Sequence, residues 1–237
     1  MNELKINNSP VRTSRNYQIN HIKVESMEWK TNSKFDNIAF QDFDDKNVIL
    51  KKMTSEICLT YGMGMELENE IKDNANVKYK IELINNTEAE NIIHFSFDEE
   101  NEQLVDDIEI IVNENVKGNI TIKYDIKKDD DLAKYQKNKK VRGLHNGIIR
   151  ISLKKNAVLN MTVVNLVGYS TEHFLAMQNH LNQNAKLIYN IVDFGGNHSV
   201  TNYYSDLEGT NSENTLNTIY IGADEQFFDM NYIAATK

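Results

Sequence analysis

From about residue 65 onward the chain repeats one pattern around a recurring asparagine, at Asn74, Asn115, Asn156 and Asn184. Three, five and seven residues after each come Val77, Tyr79 and Ile81; Gly118, Ile120 and Ile122; Leu159, Met161 and Val163; and Leu187, Tyr189 and Ile191. Only Gly118 among them is not a sizeable apolar residue. The residues in between are Lys78 and Lys80, Asn119 and Thr121, Asn160 and Thr162, and Ile188 and Asn190, of which only Ile188 is apolar. Period-two alternation is the mark of a strand with one buried face. The segments before the asparagines carry apolar residues too: Ile71, Val112, Leu153 and Leu181 three residues back, and Leu67, Ile108, Ile149 and Met177 seven back. Each copy, the one around Asn74 included, therefore reads as strand, polar corner, strand.

Asparagine suits such a corner because it tolerates left-handed backbone and can hydrogen-bond its own turn. The four asparagines stand 41, 41 and 28 residues apart, within the range of about 20–45 residues typical of solenoid repeats. The charged segment 127–142 reads as a loop inside one of the long intervals. After residue 195, "SVTNYYSDLEG", "NTLNTIYIG" and "EQFFDMNYIA" read as three further strands, so helix content should be low. Two architectures satisfy this pattern. One is a parallel β-helix with stacked rungs; the other is a β-sandwich of hairpins, in which the same corners would be hairpin turns. Residues 1–64 lack a long clean period and read as an N-terminal region of short strands and loops, leaving 65–237 as the repetitive core. Within residues 1–64 "KFDNIAFQDF" is mixed and "KNVILKKMTSEICLTYGMG" fits a short helix or strand.

Several function classes fall away on composition. A formal charge of −9 argues against a nucleic-acid binder, whose phosphate contacts need surplus Lys and Arg. The basic run "KYQKNKKVR", 134–142, follows the acidic "DDD", 129–131, and reads as a solvated charged loop. No stretch approaches 18 consecutive apolar residues, and "MNELKINNSPVRT" has no apolar signal core. The expectation is a cytoplasmic protein without a membrane span. Cys58 is the only cysteine, so an intramolecular disulfide and a cysteine-rich zinc site are both excluded. Its apolar neighbours Ile57 and Leu59 make it a small core residue on this reading. The abundance of asparagine follows the general bias toward Asn, Lys and Ile and does not require asparagine ladders.

No catalytic signature stands out. His21, His94, His145, His173, His180 and His198 show no metal-ligand spacing, and no metalloprotease, nucleophile-elbow or Walker motif occurs. His173 and His198 follow turn-like residues and read as structural histidines at strand edges. "DFGGN", 193–197, precedes a strand rather than a helix, so it reads as a tight corner and not a phosphate loop. Asp193, Asp206, Asp224 and Asp229 invite comparison with glycan-cleaving β-helices, but their spacing does not make them converge. No catalytic, cofactor-binding or metal-binding residue is assigned.

The run "DFGGNHSVTNYYSDLEGTNSENTLNTIYIGADEQFFDMNYIA", 193–235, resembles the core domain of the SufB/SufD family of iron–sulfur cluster assembly proteins. "SPVRTSRNYQINHIKVE" and "LVDDIEIIVNENVKGNITIKYD" are similar to SufD-like chains of clostridial type. The resemblance implies a right-handed parallel β-helix, which decides between solenoid and sandwich. It also implies a non-enzymatic scaffold acting with a SufC-like ATPase and a SufB-like subunit, or as a homodimer. Any iron–sulfur cluster would then belong to the full complex, with none held by this chain alone. In the family, a late cysteine or histidine and C-terminal helices complete the cluster site and the ATPase contact. The sequence stops at "NYIAATK" before such parts, so no cluster residue carries over. The expectation is a solenoid incomplete at its C-terminal end, capped there by a partner or by self-association. The competing reading is a β-helix carbohydrate-active enzyme or glycan-binding module, for which "NYYSD", 202–206, is the only local hint.

Overall fold

The computed structural model describes residues 3–8, 21–25, 27–30, 32–60, 62–126 and 143–236. Strands run in pairs joined by short corners: β5 (Val77–Leu83) with β6 (Glu90–Phe97), β7 (Gln103–Val112) with β8 (Lys117–Ile126), and β9 (Leu144–Leu153) with β10 (Val158–Leu166). The series continues with β11 (Glu172–Leu181) and β12 (Lys186–Asp193), then β13 (His198–Leu207) and β14 (Glu213–Tyr220), and ends on β15 (Phe227–Thr236). First members of the pairs form one parallel sheet, in the order β15-β13-β11-β9-β7-β5; second members form another, β14-β12-β10-β8-β6. This is a parallel β-helix of about five turns, not a sandwich of hairpins.

The rows expected from the alternation stack in register. Gly118, Leu159 and Leu187 are neighbours across β8, β10 and β12, as are Ile120, Met161 and Tyr189, and Ile122, Val163 and Ile191. All except Gly118 belong to one apolar core between the sheets. At the corners Asn115, Asn156 and Asn184 have φ of 61°, 57° and 55°, and Asn211 at the next turn has 60°. Left-handed backbone is costly for most side chains and least so for asparagine among the non-glycine residues. The asparagines also bond to one another, forming a ladder that their abundance alone does not require. Asn156 Nδ2 donates to Asn115 Oδ1 at 2.8 Å, Asn184 to Asn156 at 2.8 Å, and Asn211 to Asn184 at 3.3 Å. Identical corners stacked one strand spacing apart place each amide under the next, which composition alone could not reveal.

The copy around Asn74 is not a corner. Leu67 and Ile71 lie on a helix, α1 (Met65–Asn74), rather than on a strand. They are four residues apart, a helical spacing that a strand search also accepts, and "MELENEIK" is rich in helix formers. The strand that follows, β5, belongs to the sheet of β7 rather than that of β8, so this copy is out of phase with the other three. Without it the plain repeat is the 28-residue step from Asn156 to Asn184. Residues 127–142, with the acidic and basic runs, lie outside the described residues, as do residues 9–20.

The N-terminal part contributes β3 (Ile38–Gln41) and β4 (Val48–Lys51), which close the first turn antiparallel to β6 and β5. It also contributes a two-stranded ribbon of β1 (Glu3–Ile6) and β2 (Ile22–Glu25). Much of the rest lies across the outer face of the larger sheet. Ile6, Val24, Ile57, Met63, Leu67 and Ile71 pack there on Val105, Ile148, Phe174, Ala176 and Val200 as a second core. Polar pins hold this cover. Thr54 Oγ1 donates to Asp107 at 2.6 Å, Arg150 Nη1 to the Glu56 carbonyl at 3.2 Å, and Asn146 Nδ2 to the Leu67 carbonyl at 2.9 Å.

Candidate functional site

Two clusters of histidines and carboxylates stand out among the described residues, one inside the solenoid and one on the covered sheet. The inner group starts from the stacking of strands. His145 on β9 and His173 on β11 are register partners, and Asp106 on β7 faces inward beside them. His145 Nε2 lies 2.6 Å from Asp106 Oδ1, and His145 Nδ1 lies 2.8 Å from His173 Nδ1. Tyr124, reaching across from β8, donates its hydroxyl to Asp106 Oδ2 at 3.0 Å. All four are buried, at 1% exposure or less. Gly147 leaves the space the carboxylate needs, since a Cβ there would lie 2.4 Å from Asp106 Oδ1.

Burial in a low-dielectric interior disfavours charge on each group. It pushes the Asp106 carboxyl up to about 8, against the Tyr124 hydrogen bond, and pulls His145 down to about 3. His173 falls well below the usual imidazole range through burial and then its proximity to His145. The Tyr124 hydroxyl rises through burial and the Asp106 carboxylate beside it. The chain is therefore neutral at moderate pH. With the acid protonated, donation runs in one direction, from Tyr124 to Asp106, from Asp106 to His145 and from His145 to His173; this order is assigned from the network. A second buried set continues the polar seam. Asp193 accepts from Ser199 Oγ at 2.5 Å and from Asn165 Nδ2 at 2.7 Å, with its carboxyl raised to about 6 by burial. These sealed groups satisfy one another inside the core; nothing about them exposes a reacting atom to a substrate.

The outer group centres on His180. The Nε2 of Gln178 donates to the Cys58 carbonyl at 3.2 Å and to His180 Nε2 at 2.9 Å, while its Oε1 accepts from the Thr60 amide at 2.6 Å. Those partners fix the orientation of the Gln178 amide and leave His180 Nε2 as an acceptor, so the ring proton sits on Nδ1. Nδ1 points to Asp206 Oδ2 at 4.0 Å. His180, Asp206 and Glu208 bring potential ligand atoms within 4.8 Å of one another. In this tautomer the nitrogen on the carboxylate side carries the proton, whereas metal ligation needs a bare ring nitrogen.

The sequence candidates are thus placed as follows. His173 is fully buried beside His145, not merely at a strand edge. His198 opens β13 and meets Glu172 at 2.7 Å, a hydrogen bond that raises its pKa. His94 lies near Asp125 and Ser96, while His21 joins neither group. Cys58 is exposed rather than a core residue, because the strap that carries it turns Ile57 inward instead. "DFGGN" is a tight corner: Gly195 backs onto the Val167 backbone, and Gly196 has φ of 94°. Asp193 is in the core and Asp206 is on the outer face of β13, so these two carboxylates do not share a site. The inner pair was missed although its signal was present. His145 and His173 stand 28 residues apart, the same step as Asn156 to Asn184, so a repeat in phase makes them neighbours.

A family model described as "SUF system FeS cluster assembly, SufBD core domain" matches residues 94–236. The match spans 143 of 237 residues, from within β6 through β15. The chain belongs to the SufBD core family and so has a role in SUF iron–sulfur cluster assembly. No curated protein matches it. No helix among the described residues is long and apolar enough to cross a membrane.

Proposed function

We propose that this chain is a SufD-like, non-enzymatic scaffold subunit of a SUF complex, helping to assemble iron–sulfur clusters and pass them to acceptor proteins. The observation that carries the reading is the SufBD core match over residues 94–236, which takes in the stacked rungs. A scaffold needs a rigid body more than a reactive site, and the hydrogen-bonded polar groups sealed inside the solenoid fit that need. The cluster is cargo on this reading, held by the complex and not by a site in this chain alone. The proposed partners are a SufC-like ATPase and a SufB-like subunit, or a second copy of the chain, in the cytoplasm. The carbohydrate reading has less support, since it needs paired carboxylates in one groove and Asp193 and Asp206 lie on different faces.

The test is co-expression of the complete gene product with a SufC-like ATPase and a SufB-like subunit. A complex that survives size-exclusion chromatography, and gains iron–sulfur absorbance when iron and sulfide are supplied, is the expected outcome. Failure to bind either partner would end the scaffold reading.

A further inference from the structure

At the first turn of the solenoid a cleft of about 520 Å³ opens between β3, the end of β4 and the start of β5. Its size falls within the range of about 300–1,000 Å³ typical of small-molecule sites. Phe35, Ile38, Phe40 and Tyr79 line it with apolar surface, and Phe40 meets Tyr79 edge-on at 5.1 Å. Lys52 and Lys78 also line the cleft, and neither side chain makes a hydrogen bond or ion pair with any of the described residues. The Tyr79 ring is largely buried, while its hydroxyl reaches the surface and has no hydrogen-bond partner among the described residues. Three donors are thus unspent at one apolar cleft, against a single acidic lining residue, Asp36.

We propose that this cleft binds the carboxylate of an apolar or aromatic acid, with Lys52, Lys78 and Tyr79 holding the anion and the aromatic floor taking its body. The inference stands apart from the SUF reading. The acid can be a free small molecule or the C-terminal residue of a peptide. A peptide has an added attachment: β4 is in register only with Lys80–Leu83, so Val77–Tyr79 have no β4 partner on that flank and offer an edge for strand addition.

The full chain would be titrated with 3-phenylpropanoate, with 3-phenylpropanamide, and with a tetrapeptide ending in phenylalanine, using calorimetry and ligand-observed NMR. The acid should bind saturably and at least about tenfold more tightly than the amide, a factor equal to one well-made charged contact. The Lys52→Met/Lys78→Met double variant should lose about tenfold in affinity and Tyr79→Phe about threefold. Both substitutions spare the floor, and unchanged unfolding midpoints would establish that the fold is intact. A peptide binding well above the free acid assigns the site to a chain terminus; equal binding assigns it to small acids. Absence of saturable binding by acid and peptide alike, equal binding of acid and amide, or unchanged affinity in both variants would overturn the proposal.

Discussion

The outer faces of the two sheets lie on the same solenoid and have opposite fates. On the smaller sheet the outward residues meet solvent, and β8, β10 and β12 alternate between buried and accessible positions along most of their length. On the larger sheet the N-terminal straps and α1 cover the outer face, and β11 and β13 are buried at almost every position. A strand with one wet face shows its period; a strand buried on both faces does not have to. The covered face also holds polar residues that a core strand would not otherwise carry, such as Asp107, Arg150, Asn146 and Gln178, because the cover supplies their partners.

This contrast predicts how the molecule breaks. The largest effect should come from truncating the covered face: Phe174→Ala removes a ring from the second core and should cost about 3–5 kcal/mol. Val192→Ala, on the bare face of β12, should cost about 1 kcal/mol or less. Urea midpoints measure both, and equal losses would mean that the cover adds little packing. Next comes the pin. Arg150 Nη2 meets the buried Asp107 at 2.8 Å while the same guanidinium holds the Ser55 and Glu56 carbonyls. Arg150→Ala leaves that carboxylate unpaired and should cost about 3 kcal/mol. Hydrogen exchange should then accelerate in residues 54–60 and leave β10 and β12 unchanged; a uniform acceleration would show that the strap and the solenoid open together.

The pH dependence follows from the inner chain. Asp106 is raised to about 8, so its contribution is full below the unfolded value of about 4 and is lost as pH rises through 8. His145 is depressed to about 3, so its contribution is full above the unfolded value of about 6.5 and is lost as pH falls toward 3. Between those two unfolded values the slopes oppose each other. From about pH 6.5 to 8 the His145 slope is spent, and Asp106 should lower stability by about 1.4 kcal/mol per pH unit, with the raised His198 adding a slope of the same sign. Asp106→Asn should flatten this limb, which denaturant titrations at three pH values would detect; a slope that survives the substitution assigns it to another group. A modest effect is expected at the corner shared by both sheets. Asn156→Ala should cost about 1–2 kcal/mol for the left-handed backbone and the lost ladder bonds. Asn156→Gly should recover the backbone part, so similar losses in the two variants would point to the ladder alone.

The bare sheet accounts for most of what was legible. Leu159, Met161 and Val163, and Leu187, Tyr189 and Ile191, announce their strands because Asn160, Thr162 and Asn190 alternate with them, with Ile188 the one apolar exception. The first turn was misread for a matching reason: Leu67 and Ile71 satisfy both a strand row and a helix face, and only the covered sheet offers the surface that selects the helix. The His145–His173 pair was readable in principle from its spacing, one plain turn, but its link to Asp106 and Tyr124 was not. Asp106 stands 39 residues before His145 because residues 127–142 interrupt the repeat, and Tyr124 reaches the acid from the opposite sheet.

By itself the sequence determined the alternating strands, the asparagine corners and the absence of familiar catalytic motifs, since each depends on residues close together in the chain. The tertiary structure alone decided which sheet is covered, where the buried acid meets its imidazoles, and that Tyr79, Lys52 and Lys78 line one cleft. Those outcomes depend on segments brought together by stacking, and backbone periodicity records which side of a strand is buried but not what lies against it.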